Sequence, residues 1–175
     1  MDIEGANMGE NESMIYKAGK ENLEMVTNIT RKTITEIYPK YYANGVVEFF
    51  LKHHCEENIN RDIENGLVWL LKENEIPIGT ITLKNNVINR LFVLPEYQGK
   101  GYGSQLMDFA EEKIGREYDR VHIDSSLPAK EMYLKRGYKE TNTCHIKAEK
   151  GAILVYDEMV YVYTTEVQVK GDKYV

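Results

Sequence analysis

The stretch Leu91–Lys113, "LFVLPEYQGKGYGSQLMDFAEEK", starts as an apolar strand, passes three glycines at alternate positions, and ends with the periodicity of an amphipathic helix. The first N–H groups of a helix lack intrahelical acceptors and carry the positive end of its dipole, so such a corner attracts anions. Gly99, Gly101 and Gly103 remove the Cβ atoms that would block close approach. A pyrophosphate can then sit against the amides of Gly99 to Ser104, with Lys100 adding charge and the Ser104 hydroxyl a donor. The plainer reading of the same residues is a surface turn.

Two other phosphate loops fit poorly. A P-loop needs G-x-x-x-x-G-K-[ST], but the residue five before Gly99 is Leu94 and the one after Lys100 is Gly101. A dinucleotide fingerprint, G-x-G-x-x-G, would put its third glycine at Ser104 and needs a parallel unit around it. The elements before the corner argue otherwise. "LVWLLKE", "IPIGTITLK" and "NVINRLFVLP" are short, β-branched and separated by turn residues, which predicts three consecutive antiparallel strands.

Further out, Met14 begins a strand in "MIYKAG", and Leu23, Val26, Ile29, Thr30, Ile34 and Ile37 recur at helical spacing until Pro39 stops them. "GVVEFFLKHHCEENI" reads as one more helix whose end, His54 to Asn58, drifts polar. After the corner come a helix over Tyr102–Gly115 with Leu106, Met107, Ala110 and Ile114 inward, a strand "RVHIDS", a helix "PAKEMYLKRG", and a closing hairpin turning near "EKG". The fold class is α/β: a mixed, largely antiparallel sheet with a parallel pair at its middle, flanked by helices.

At 175 residues the chain is long enough for one well-buried core. Residues 14–163 read as a single domain, 1–13 as a disordered acidic lead-in and 164–175 as a polar tail. The net charge of −6 argues against a nucleic-acid surface. No apolar run approaches the ~18 residues of a membrane span, and the start lacks the features of a secretory leader, so a cytoplasmic protein is expected. Cys55 and Cys144 lie too far apart for zinc-type spacing, and no metal is expected. His53 and His54, adjacent on a helix, diverge by about 100° and read as a solvated helix end. The aromatic cluster Tyr38, Tyr41, Tyr42, Phe49 and Phe50 reads as core.

Gln98-x-x-Gly101-x-Gly103, preceded by a strand and by Val93-x-Pro95, resembles the acetyl-CoA-binding motif of the GCN5-related N-acetyltransferase (GNAT) family. "AKEMYLKRGYKE" is similar to the family's later A-x-x-x-Y-x-x-x-G-[FY] helix, and the order of elements from Met14 to Tyr163 agrees. The resemblance implies a GNAT-like sheet splayed around acetyl-CoA as cosubstrate. It assigns the pantetheine arm to the backbone of Leu91, Phe92 and Val93. The pyrophosphate falls to Gln98, Gly99, Lys100, Gly101, Tyr102, Gly103 and Ser104. Ser126 stands where the family often has an asparagine, and Tyr133 matches the tyrosine that protonates the departing thiolate. A position where many relatives carry an acid holds Asn89, so the general base stays open, with Glu73, Asp124 and Asp157 compatible by strand position.

The implied activity is acetyl transfer to a primary amine of a small molecule or peptide. A non-catalytic acyl-CoA sensor with the same fold and a nucleotide-binding protein of another class are the competing readings. The acceptor amine is not legible here, and the closing strands leave a homodimer open.

Overall fold

The computed structural model describes residues 13–164. In chain order these form β1 (Ser13–Lys17), α1 (Leu23–Ile37), α2 (Asn44–His53), α3 (Glu56–Glu64), β2 (Val68–Glu73), β3 (Ile76–Lys84), β4 (Val87–Val93), α4 (Tyr102–Gly115), β5 (Arg120–Ser125), α5 (Leu127–Lys135), β6 (Lys139–Lys147) and β7 (Ile153–Val162). The lead-in, apart from Ser13, and the tail beyond Thr164 lie outside the described residues.

One seven-stranded sheet runs in the order β1-β2-β3-β4-β5-β7-β6. Every neighbouring pair is antiparallel except β4 and β5, so the predicted sheet with its central parallel pair is observed. At the β2–β3 turn Asn74 and Glu75 both take positive φ, the geometry that suits the twist of a two-residue hairpin.

Helices cover both faces. α4 inserts Leu106, Met107, Ala110 and Ile114, its 3.6-period stripe, against Ile81, Val93, Val121 and Ile123 of the sheet, with Tyr133 of α5 in the same cluster. On the opposite face Val26, Ile29 and Ile34 of α1, Val47 of α2, and Ile59 and Ile63 of α3 pack over Leu70 and Phe92. Each such side chain, once buried, contributes on the order of 1.5–3 kcal/mol, so both layers are well anchored to the sheet.

One expected element differs. The single helix predicted over Gly45–Ile59 is two, because Cys55 turns extended (φ −69°, ψ 162°) and opens α3. His54 sits at the break, its N–H donating to the Phe50 carbonyl at 2.9 Å. The break lets α3 redirect Ile59 and Ile63, an i, i+4 pair, into the core.

Candidate active site

β4 and β5 pair over only two positions, Val87 with His122 and Ile88 with Ile123, and then separate. From Asn89 to Val93 the β5-facing side of β4 has no strand partner. Leu94 N–H donates to the Ile78 carbonyl at 2.8 Å, toward β3, so strand alternation turns the backbone groups of Val93 and Leu91 toward the gap and those of Phe92 toward β3. The Val93 carbonyl is already claimed, by Gln98 Nε2 at 2.9 Å and Thr33 Oγ1 at 3.1 Å. Its N–H remains to serve the gap.

The gap opens into a cleft of about 270 Å³. Asn89, Leu91, Phe92, Val93, Gln98, Gly99, Gly103, Ser126, Ala129 and Tyr133 all line it, which brings together residues from β4, two loops, α4 and α5. Lys100, Gly101, Tyr102 and Ser104 do not line it; they form the lip beyond Gly99. Lys100 is exposed, its ammonium 5.1 Å from the centre of the Tyr97 ring, and the Tyr102 hydroxyl donates to Glu73.

The corner itself follows from its glycines. Gly99 and Gly101 take φ of +74° and +91°, a region costly to residues with a Cβ, and a Cβ built at either would meet nothing within 4 Å. The space outside them is therefore open to a ligand. The first intrahelical bond of α4 runs from Gln105 N–H to the Gly101 carbonyl, and no side chain caps the helix. The amides of Tyr102, Gly103 and Ser104 are left as donors at the positive end of the helix dipole.

Tyr133 is 5% exposed and its hydroxyl has no hydrogen-bond partner among the described residues. Burial, and secondarily Tyr38, push its pKa upward, so the phenol stays protonated at neutral pH. Tyr38, also buried, is pushed up to about 12, chiefly by burial, and its hydroxyl meets Ser126 Oγ at 3.4 Å. Of the predicted aromatic cluster, Tyr38 and Phe50 line the cleft, packed edge to face with ring centres 4.8 Å apart, whereas Tyr41 is exposed.

The three acids compatible by strand position separate cleanly. Glu73 lies outside the cleft and accepts from Tyr102. Asp157 is held by Lys130 at 2.7 Å and by the Thr143 hydroxyl at 2.7 Å, which keep its carboxyl below the usual range. Only Asp124 lines the cleft. β5 alternates strictly, burying Val121, Ile123 and Ser125 and turning His122 and Asp124 to the other face.

The sequence reading placed His54 at a solvated helix end; it is 6% exposed and lines the cleft. Its Nδ1 accepts from Arg90 Nε at 3.2 Å, and Arg90 in turn pairs with the buried Asp62 at 2.6 Å. An accepting Nδ1 leaves the proton on Nε2. Burial first, then the Arg90 guanidinium, hold His54 well below the ordinary histidine pKa. Neither Arg90 nor Asp62 was singled out from sequence, since their partners come from α2, α3 and β4.

These features agree with the comparisons to known proteins. A family model described as an acetyltransferase (GNAT) domain matches residues 37–159, and the chain belongs to that family. Acyltransfer is the chemistry that membership carries. A GCN5-related N-acetyltransferase structure from Rhodopseudomonas palustris superposes with a TM-score of 0.80 at 22% identity, over 90% of this chain and 100% of that one. PaiA N-acetyltransferase from Thermoplasma acidophilum, solved with coenzyme A, gives 0.69 at 18% identity, over 87% of this chain and 99% of its own. YncA from Salmonella typhimurium, solved with acetyl-CoA, gives 0.67 at 16% identity, over 90% and 97%. At these identities the likeness is one of fold. None of the curated proteins matches the chain.

Among the described residues no cluster of His, Cys, Asp and Glu is arranged to hold a metal, and no helix is long and apolar enough to cross a membrane.

Proposed function

We propose that the protein is an N-acetyltransferase moving an acetyl group from acetyl-CoA to the primary amine of a small molecule or peptide. The observation that carries this reading is one arrangement: an unpaired strand segment, a buried tyrosine across the cleft from it, and a helix start with free amides at the end. The donor's chemistry fits these groups. Its amide-bearing arm needs strand-like partners, which Leu91 and Val93 offer, and its diphosphate needs backbone donors unobstructed by Cβ atoms, which the corner from Gly99 to Ser104 offers. In this reading Gln98, Lys100 and Tyr102 serve the corner, Phe92 walls the arm, and Ser126 borders the reacting end.

Bound acetyl-CoA supplies an acetyl group activated as a thioester. The Val93 N–H faces the gap and polarises the acetyl carbonyl there. Tyr133, kept protonated by burial, donates to the sulfur as the carbon–sulfur bond breaks; a phenol so perturbed is a poor base and serves as donor only. The incoming ammonium must first lose a proton, which Asn89 cannot accept. Residues 14–163 act as one catalytic domain. A cytoplasmic location is consistent with two free thiols, Cys55 and Cys144.

The test follows free thiol while protein, acetyl-CoA and a broad amine panel are mixed. Thiol release should appear, and Tyr133→Phe should lower kcat about 100-fold with coenzyme A affinity kept. Asn89 favours one rival, a sensor that binds acetyl-CoA without turnover. It predicts saturable cofactor binding, no thiol release with any amine, and a Tyr133→Phe protein indistinguishable from the parent.

A further inference from the structure

A second, smaller cavity of about 130 Å³ opens from the main cleft where β4 and β5 part. Phe50, His54, Ile88, Asn89, Asp124 and Ser126 line both spaces and so form the junction between them. Beyond the junction the walls are mainly apolar: Phe49 and His53 of α2, Val87 of β4, and Ile146, Leu154 and Tyr156 of the closing hairpin. Ile146 and Leu154 are cross-strand partners, and the His53 ring lies stacked on Phe49 with centres 5.8 Å apart. An apolar cavity of about 150 Å³ accommodates a benzene ring, so this one suits a single aryl or branched alkyl group.

Asp124 is the one carboxylate lining either cavity among the described residues, and it makes no hydrogen bond or ion pair there. Its register partner across β5–β7 is Glu158, which adds negative charge beside it. Arg90, in the wall of the main cleft, is already committed to Asp62, His54 and Thr82, and His53, which faces Asp124 from α2, is held below the ordinary histidine pKa, chiefly by burial. With His53 and His54 both held below the ordinary histidine pKa, the Asp124 carboxylate makes the junction attractive to a cation.

Resting on the acetyl-transfer reading, we infer that the small cavity is the acceptor site and that its substrate is a primary amine bearing one compact apolar substituent, its ammonium held by Asp124 at the junction. A zwitterionic amino acid would bring its carboxylate against Asp124 and Glu158. A polyamine would push a second ammonium into an apolar pocket, where an unpaired charge is strongly disfavoured. An aminoglycoside or a peptide chain exceeds the space.

The test compares 2-phenylethylamine and isopentylamine with alanine, spermidine and a tripeptide, as kcat/KM from thiol release at saturating acetyl-CoA. The first two should exceed the rest by roughly tenfold or more. Asp124→Asn should raise the KM for 2-phenylethylamine by roughly ten- to a hundredfold while coenzyme A affinity, which also reports folding, stays. Leu154→Trp should erase the preference for the aryl amine by filling its pocket. Binding of 2-phenylethylamine to the coenzyme A-saturated protein, read by calorimetry, decides the matter independently of turnover. Best turnover with alanine, spermidine or the tripeptide, or an Asp124→Asn protein that binds 2-phenylethylamine like the parent, overturns the inference while leaving acetyl transfer intact. Loss of coenzyme A binding itself would strike the acetyl-transfer reading instead.

Discussion

His54 is a basic residue kept from being a base. Burial and the adjacent Arg90 hold its imidazole neutral in the fold, while in the unfolded chain it takes a proton as the pH falls through about 6.5. Below that pH the unfolded state binds more protons, so stability is present above it and is lost as the medium is acidified. Urea unfolding should show a flat midpoint from about pH 8.5 to 7.5 and a fall between about 6.5 and 5.5, and His54→Gln should flatten that fall. An equal fall in the variant would move the cause elsewhere. The burial of His54 was not legible from sequence because its partners Arg90 and Phe92 lie on β4, and adjacency to His53 suggested exposure. Tyr133 was singled out through the likeness of Ala129, Tyr133, Gly137 and Tyr138 to the family's later helix, and it lines the cleft. Asp124 was legible only as one acid among three, since what sets it apart is the ion pairing of Asp157 and the distance of Glu73, both tertiary facts.

At the scale of elements, the glycine corner was the most readable part of the chain. The helix boundaries Tyr102–Gly115 agree with the periodicity, and the two positive φ angles supply a reason for Gly99 and Gly101 beyond open space. That gives a graded prediction at one position. Gly101→Ala keeps the outward space nearly free and costs stability by about 1–2 kcal/mol through its left-handed backbone. Gly101→Glu adds to that cost a negative charge where the proposed diphosphate lies, and should abolish coenzyme A binding in a protein that still folds. Calorimetric titration of the two variants separates backbone strain from electrostatic exclusion, and retained micromolar affinity in the Glu variant would relocate the diphosphate. The break between α2 and α3 was not legible. It falls at His54–Cys55, with neither proline nor glycine to announce it, and is imposed by the need to bury Ile59 and Ile63.

For the whole molecule, the hairpin pairings were readable from their turn residues and the β4–β5 parallel pair from the helix between those strands, whereas the places of β1 beside β2 and of β7 beside β5 were not. The extent of that parallel pairing was not, since separation after Ile88 depends on packing against helices on both faces. The tip of the β6–β7 hairpin also docks on α2, where a Cβ at Gly45 would come within 2.0 Å of the Glu149 carbonyl oxygen. Lys52 reaches Glu149 at 2.8 Å in the same contact, so the second cavity is walled by segments far apart in the chain.

Two slabs, β1 to β4 and β5 to β7, therefore share a spine only two residue pairs deep. If a thioester carrier fills the fissure, it acts as mortar between them. Scanning calorimetry should then show a broad transition for the bare protein, sharpened and raised by coenzyme A but not by NAD, by about 2.7 kcal/mol at a hundredfold excess over Kd. Identical thermograms would mean that the spine holds unaided. A protein cemented by its own carrier survives proteolysis in proportion to how much carrier is at hand, because cleavage follows the population of opened molecules, so its abundance in a cell should track the supply of acyl donors.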